Sequence, residues 1–204
     1  MRRSPQSPYG VGEADLSESE EALTLEQQIV TTRLLLRPLC EADIDVVHEM
    51  SVHREVRRYL FEGQVIPRSE VELMVGQSDA SFQKRNVGLF AMCLSEAINA
   101  STQADAGFVG FCGLKEYEHN DMELLIAMHP NHWGKGYGHE AASAVLKHGF
   151  SDCGMNNIVA HTDTPNQRSV EMLQRLGMSF RERREWHGLD TVFYDICADD
   201  FLHN

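Results

Sequence analysis

What is scarce in this 204-residue chain narrows the field first. Basic residues are few: 18 lysines and arginines face 31 aspartates and glutamates, for a formal net charge of −13. A nucleic-acid binder normally carries a basic stripe, and nothing here is longer than Arg181, Arg183 and Arg184. The acidic field instead favours cationic or amine partners, or simply keeps the molecule dispersed. The cysteines (Cys40, Cys93, Cys112, Cys153 and Cys197) are odd in number, far apart and never spaced C-x-x-C. That pattern argues for a reducing compartment and against a disulfide framework or zinc ribbon. No apolar run is long enough to span a bilayer. Arg2 and Arg3 have no apolar segment behind them, so a secretory or twin-arginine leader is not expected. The expectation is a cytoplasmic protein with no membrane and no nucleic-acid partner. With 42% hydrophobic and 24% charged residues the chain is otherwise of ordinary globular composition.

Along the chain, residues 1–29 read as an acidic, mobile N-terminal tail, with room for a short helix near Ser17–Gln28. From Val30 to Asn204 a regular pattern takes over. TTRLLLRPL reads as a first strand, EADIDVVHEM and REVRRYL as short helices. Pro67 and Ser69 with Glu72 read as a capping box ahead of a third helix over 71–85. VGLFAMCLS reads as a strand and EAINASTQADA as a loop. GFVGFCGLKEYE and MELLIAMH follow as strands about the turn HND. GHEAASAVLKHGF shows one apolar helical face through Phe150. NIVAHT is a strand, NQRSVEMLQRLG a helix ended by Gly177, and MSFRERREW and TVFYDI a hairpin about HGLD. The order predicts an α/β fold with a mixed sheet and helices on both faces.

The stretch HPNHWGKGYGHE lies between a strand and a helix and places glycine at 134, 136 and 138. Strand, glycine-rich turn and helix start make a seat for an anion, usually phosphate. A G-x-G-x-x-G fingerprint fails because its last place is His139. A Walker loop fails because Lys135 is followed by Gly136. A merely tight turn needs only one such glycine. His129, His132 and His139 straddle the turn without an acidic or cysteine ligand at matching spacing, so no metal is expected.

W-G-K-G-Y-G followed by HEA resembles the coenzyme A pyrophosphate loop of the GNAT (Gcn5-related N-acetyltransferase) superfamily. N-Q-R-S-V-E-M-L-Q-R-L-G-M resembles that superfamily's next signature, with Asn166, Ser169 and Gly177 at the matching places. Trp133, Ser169 and the opening TTRLLLRPL look most like the branch that acetylates ribosomal-protein N-termini (RimJ/RimL-type). The resemblance runs from about Val30 to the C-terminus. It implies the acyl-CoA N-acyltransferase fold, a mostly antiparallel mixed sheet splayed at the cofactor cleft, with acetyl-CoA as cosubstrate. It implies cofactor contacts from Ile126, Ala127 and Met128 on the splayed strand and from Trp133, Gly134, Lys135, Gly136, Tyr137, Gly138 and His139 on the loop. Asn166 and Ser169 on the following helix complete the set. Trp133 stands where most such loops carry Gln or Arg, and Leu173 where many relatives carry the tyrosine that protonates the leaving thiolate.

Acetyl transfer needs a neutral amine, so a proton acceptor is called for, most of all with a lysine-type acceptor. Glu123, three residues before Ile126, is the candidate base, directly or through water; Glu116 and Glu118 are alternatives sharing one strand face. Ser169 either donates to the sulfur or packs as a small residue against the cofactor. Asn166 is expected as a helix N-cap. Trp133 and Tyr137 either stack along the cofactor or pack the loop. The acceptor is a protein N-terminus, or alternatively an amino acid, polyamine or aminoglycoside. A non-catalytic acyl-CoA-binding module is the other reading. The acceptor cleft is expected from segments 41–60, 69–85, 96–106 and 186–191, and the chain acts as a monomer or homodimer.

Overall fold

Leu34 and Leu36 alternate with Leu35 and Arg37, the period of a strand with one buried face. Leu34–Pro38 is β2, and it follows a short strand, Ile29–Val30 (β1). The computed structural model describes residues 27–100, 107–118 and 121–203. Leu89–Leu94 (β3), Phe108–Glu116 (β4) and Met122–Met128 (β5) come next, then Asn157–Asp163 (β6), Ser179–Trp186 (β7) and Leu189–Cys197 (β8). They form one sheet in the order β1-β2-β3-β4-β5-β6-β8-β7. All neighbours are antiparallel except β5 and β6. The helices are Ile44–Val52 (α1), Arg54–Arg57 (α2), Arg68–Arg85 (α3), Ser95–Ala100 (α4), Tyr137–Lys147 (α5), Gln167–Arg175 (α6) and Ala198–Leu202 (α7). This is the mixed, mostly antiparallel α/β architecture expected.

The sheet separates two cores. On one face Ala141, Ala142, Val145 and Leu146 of α5 and Leu173 of α6 pack on Leu114, Met122, Leu124 and Ile158. On the other, Val47 and Met50 of α1 and Val71 and Val75 of α3 pack on Ala91, Phe111 and Ala127. Arg37 ties β2 to the start of the α1 segment through a two-pronged ion pair with fully buried Asp43, at 2.7 and 2.6 Å. Burial of that charge is tolerated because both carboxylate oxygens are matched and the Cys40 N–H donates to one of them.

Several local expectations differ from what is observed. α3 begins at Arg68 after Pro67, with no side-chain cap, so Ser69 lies inside the helix and Glu72 pairs with Arg68 instead. Pro67 already presets the entry, and its neighbour needs no box. Ser95, read as a strand end, and residues 96–100, read as loop, form α4: Glu96 and Ala97 are good helix formers, and Ser95 N–H is held by the Arg33 carbonyl at 3.0 Å. The apolar helix face through Phe150 is carried past α5 by a π-turn over His148–Asp152, which buries His148, Gly149 and Phe150. Ile29, assigned to the tail, pairs with Leu36 and packs on the core; residues 1–26 of that tail, 101–106 of the polar segment and 119–120 of the HND turn lie outside the described residues.

Gly113 faces Leu89 where β3 and β4 come closest. A Cβ there would stand 2.1 Å from the Gly88 carbonyl oxygen and 2.6 Å from Leu89 Cα. Gly113→Ala is therefore expected to force the strands apart and cost at least about 1–3 kcal/mol. Calorimetric melting of wild type and variant checks this; an unchanged melting temperature contradicts the close approach.

Candidate active site

The cleft originates in one short pairing. β5 and β6 are in register only at Met122↔Ile158 and Glu123↔Val159. Beyond these residues β5 continues on β4 as far as Met128 and β6 continues on β8 as far as Asp163, so the two strands part. Backbone groups of successive strand residues point to opposite sides. The His129 N–H donates to Val109 O, on the β4 side, at 2.9 Å. By that alternation Ala127 also faces β4, and an added Cβ on Gly110 would meet the Ala127 carbonyl at 2.1 Å. Ile126 and Met128 face the gap. The Met128 carbonyl is already taken by Trp133 Nε1 at 2.9 Å, leaving the Met128 N–H and both groups of Ile126 for a ligand.

The glycine loop closes one end of a groove of about 880 Å³. Gly134 and Gly136 have φ of 74° and 83°, a conformation that other residues rarely adopt, and Gly136 is the N-cap of α5. Gly138 lies inside that helix, packed against Ile126 and Met128. Arg33 fixes the loop: its Nη1 donates to the Lys135 carbonyl at 2.9 Å and its guanidinium lies 4.7 Å from the Tyr137 ring centroid. Glu140 holds Arg33 in turn, accepting from its Nε at 2.7 Å, from its backbone N–H at 2.8 Å and from Thr31 Oγ1 at 2.7 Å. Burial pushes the Glu140 carboxyl up, but these bonds together hold it below its ordinary value. Trp133, Gly134, Gly136, Gly138 and His139 line the groove, whereas Lys135 and Tyr137 do not. Trp133 packs on the α1 side of the sheet with Arg168 5.1 Å from its ring centroid.

α6 forms the opposite wall. Asn166 occupies the N-cap position but makes no capping bond; its Nδ2 donates to Thr162 Oγ1 at 3.1 Å. Asn166 and Ser169 border both this groove and a second cavity of about 330 Å³, as do Ile126 and Met172. Leu173 is buried and offers no proton. Tyr59 and Leu60, after α2, lie over the junction, with Tyr59 Oη donating to the Pro165 carbonyl at 3.4 Å.

Glu123 lies in the second cavity, only 3% exposed. Its Oε2 is 3.1 Å from Lys115 Nζ and its Oε1 3.2 Å from His161 Nδ1. Neither Oε2 nor Nδ1 is aligned for a hydrogen bond. Burial pushes the His161 imidazole below its ordinary value, more than Glu123 raises it. Glu116 also lines this cavity and pairs with Arg85 at 3.4 Å, and Glu118 pairs with Arg184 at 3.7 Å. The expected segments 186–191 and 41–60 do line this cavity, through Trp186, Leu189 and Thr191 and through Tyr59 and Leu60; His161, Lys115 and Tyr117 are additions to the sequence reading, as is the lip Phe61–Glu62, where two non-glycine residues hold φ of 53° and 52°. Strand alternation alone could have placed His161 with Glu123, had the Glu123↔Val159 register been known. The expected segment 69–85 does not line this cavity, and among 96–106 no described residue does. Among the described residues no three metal-binding side chains converge.

A helix N-terminus with bare loop amides suits a phosphate group, and an unpaired strand edge suits an extended arm bearing amides. Comparison with known proteins points the same way. The family model described as Acetyltransferase (GNAT) domain matches residues 33–179. The chain is 27% identical to the uncharacterized N-acetyltransferase YnaD of Bacillus subtilis, over 85% of this chain and 98% of that one. Its fold matches spermidine N-acetyltransferase from Vibrio cholerae in complex with CoA and spermine (TM-score 0.66, 19% identity, 84% of this chain and 99% of that one). It also matches RimL, the ribosomal L7/L12 α-N-protein acetyltransferase in complex with CoA (TM-score 0.68, 16% identity, 84% and 98%).

Two outcomes follow from the loop. Gly136→Val puts a branched Cβ at a positive φ and 3.3 Å from Arg33 Nη2, and is expected to weaken CoA binding by about 1–3 kcal/mol. Calorimetric titration checks it; unchanged affinity in a folded variant removes the site. Because the folded Glu140 carboxyl lies below its unfolded value, its contribution to stability is full above the ordinary 4.5 and is lost as pH falls through the depressed value. Urea midpoints should show wild type ahead of Glu140→Gln at neutral pH, with the gap closing only in acid.

Proposed function

This chain belongs to the GNAT acetyltransferase family and is an acetyl-CoA-dependent N-acetyltransferase; we propose that its acceptor is the α-amine of a peptide or protein N-terminus. The observation that carries this reading is the smaller cavity beside the groove, whose wall brings His161 to 3.2 Å from Glu123, the only imidazole paired with a carboxylate among its described lining residues. An ordinary imidazole near 6.5 is about 1.5 units short of an α-ammonium near 8, but about 4 short of a lysine-type ammonium near 10.4. Each unit costs about 1.4 kcal/mol, so the first proton transfer is readily accessible and the second is not. About a tenth of an α-amine is already neutral near pH 7.

The two cavities meet at Ile126, Asn166, Ser169 and Met172, which supports one reactant on each side of that junction. On the groove side the amides of the loop and the N-terminus of α5 hold the pyrophosphate, and the Ile126 and Met128 edge binds the pantetheine arm. A gap-facing N–H of that edge polarises the thioester carbonyl. On the other side Glu62, Glu116 and Asp163 draw in a cation, and the Tyr117 and Trp186 rings receive it. The proton acceptor comes from Glu123 and His161. Leu173 leaves proton donation to the sulfur to Ser169 or water.

One observation favours a second reading, a small polyamine. Burial and the charge of Glu62 push the Asp163 carboxyl up, and a second ammonium would relieve that strain. Thiol release with a lysine-free peptide, an Nα-blocked lysine peptide, spermidine and a free amino acid separates the readings. The free N-terminus is expected to give the highest kcat/KM; a preference for spermidine overturns the N-terminal reading in favour of the second.

A further inference from the structure

We propose that His161 is the group that takes the amine proton, and that Glu123 is a positioning residue clamped by Lys115. The proposal rests on the reading of the chain as an amine acetyltransferase but not on which amine it takes. Glu123 is the more enclosed of the two, with 3% of its side chain exposed against 21% for His161. Its carboxylate lies between Lys115 on β4 and His161 on β6, with one oxygen 3.1 Å from the ammonium and the other 3.2 Å from the imidazole.

His161 has what Glu123 lacks. Its Nδ1 faces a carboxylate, which favours the tautomer with the proton on Nδ1 and leaves the Nε2 lone pair available. Among the described residues Nε2 has no hydrogen-bond partner. The ring stacks on Phe193 (centroids 5.2 Å, interplanar angle 26°), and Tyr117 and Trp186 stand at 5.9 and 6.4 Å. Three aromatic rings therefore hold the imidazole plane. The charged and titratable groups around it are Lys115 and Tyr117 from β4, Glu123 from β5, Arg184 from β7 and Asp163 on its own strand. Catalytic hydrogen bonds are often long or off-line without substrate and tighten in the complex.

The step balances as follows. Nε2 takes one proton from the acceptor's ammonium, and the freed nitrogen pair forms the C–N bond to the acetyl carbon. The C–S bond breaks with its electron pair on sulfur, and the second proton lost by nitrogen neutralises the thiolate. The imidazolium returns its proton to solvent.

His161→Gln should lower kcat/KM about 10²–10⁴-fold near neutrality and recover toward wild type as pH approaches the amine's own pKa. The clamp predicts opposite movements of the acid limb of the pH profile. Glu123→Gln removes a charge that raises the imidazole and should move the limb to lower pH; Lys115→Met removes one that lowers it and should move the limb to higher pH. A merely structural role for either residue does not give opposite shifts. Calorimetric CoA affinity confirms that each variant is folded. Imidazole NMR of the unmutated chain gives a test that needs no stable variant: an Nδ1–H tautomer at His161 is expected near pH 7. An Nε2–H tautomer overturns the proposal, as does His161→Gln activity within about twofold of wild type across roughly pH 5–9. If no amine turns over, the acetyltransferase reading fails while the tautomer is still read. If spermidine is the better acceptor, only the N-terminal reading fails and the variants are run with spermidine.

Discussion

Everything at the site depends on β5 and β6 parting after Glu123 and Val159. Each strand is fully paired on its other side, β5 to β4 and β6 to β8. The opening therefore costs only the hydrogen bonds along one edge of each strand, and part of that is recovered, since Trp133 satisfies the Met128 carbonyl. A flat, continuously paired sheet would leave Ile126 no free backbone group. The same divergence sets the helices: α5 enters beside the end of β5 and α6 beside the end of β6, so two helix N-termini flank the wedge. On the opposite side of the sheet the vertex of the wedge brings Glu123 and His161 together. The free edge at Ile126 and the Glu123–His161 pair are two consequences of one short register.

Much of this was legible in local sequence because it depends on local physics. Alternation gave the strands, and the glycines at 134 and 136 announced a backbone with positive φ at a helix start. Gly138 was legible only in part, since its reason is packing against Ile126 and Met128. What stayed hidden is nonlocal. His161 looks in sequence like any histidine in an apolar strand, and its meaning comes from Val159 being opposite Glu123, a register no periodicity encodes. Lys115 becomes a partner of Glu123 only through the β4–β5 pairing. Asn166 misled in the other direction. It fits the composition rule for an N-cap, but a threonine four residues back competes for its side chain and wins.

The loop illustrates how a rigid anion seat is built on an acidic protein. The amides that point at a phosphate must be held without a charge of the wrong sign nearby. Glu140 is in the first turn of α5, but its carboxylate is spent on Thr31 and Arg33, and Arg33 passes the restraint on to the Lys135 carbonyl. A three-part clamp, charged but locally neutralised, therefore fixes the loop from behind. What this stretch presents to the groove includes backbone at Gly134, Gly136 and Gly138.

Charge is sorted between the two cavities even though the chain as a whole is strongly negative, at −13. The larger groove is lined by Arg58, Arg168 and Arg175 against Glu55 and Glu171, and it opens on the positive end of α5. The smaller cavity is lined by Glu62, Glu116, Glu123 and Asp163 against Lys115. An anionic cosubstrate and a cationic acceptor thus meet opposite local fields, and each is repelled from the other's entrance. Beyond the screening length of about 8 Å the net charge is largely screened; within it, the lining residues decide. Tyr59 and Leu60 border both spaces, and the left-handed turn at Phe61 and Glu62 beside them is held by Arg57 on the Gly63 carbonyl at 2.6 Å. Backbone strain of that kind persists only where the surroundings enforce it. Here it keeps a single lip beside two spaces of unlike charge, which adjoin at Ile126, Asn166, Ser169 and Met172.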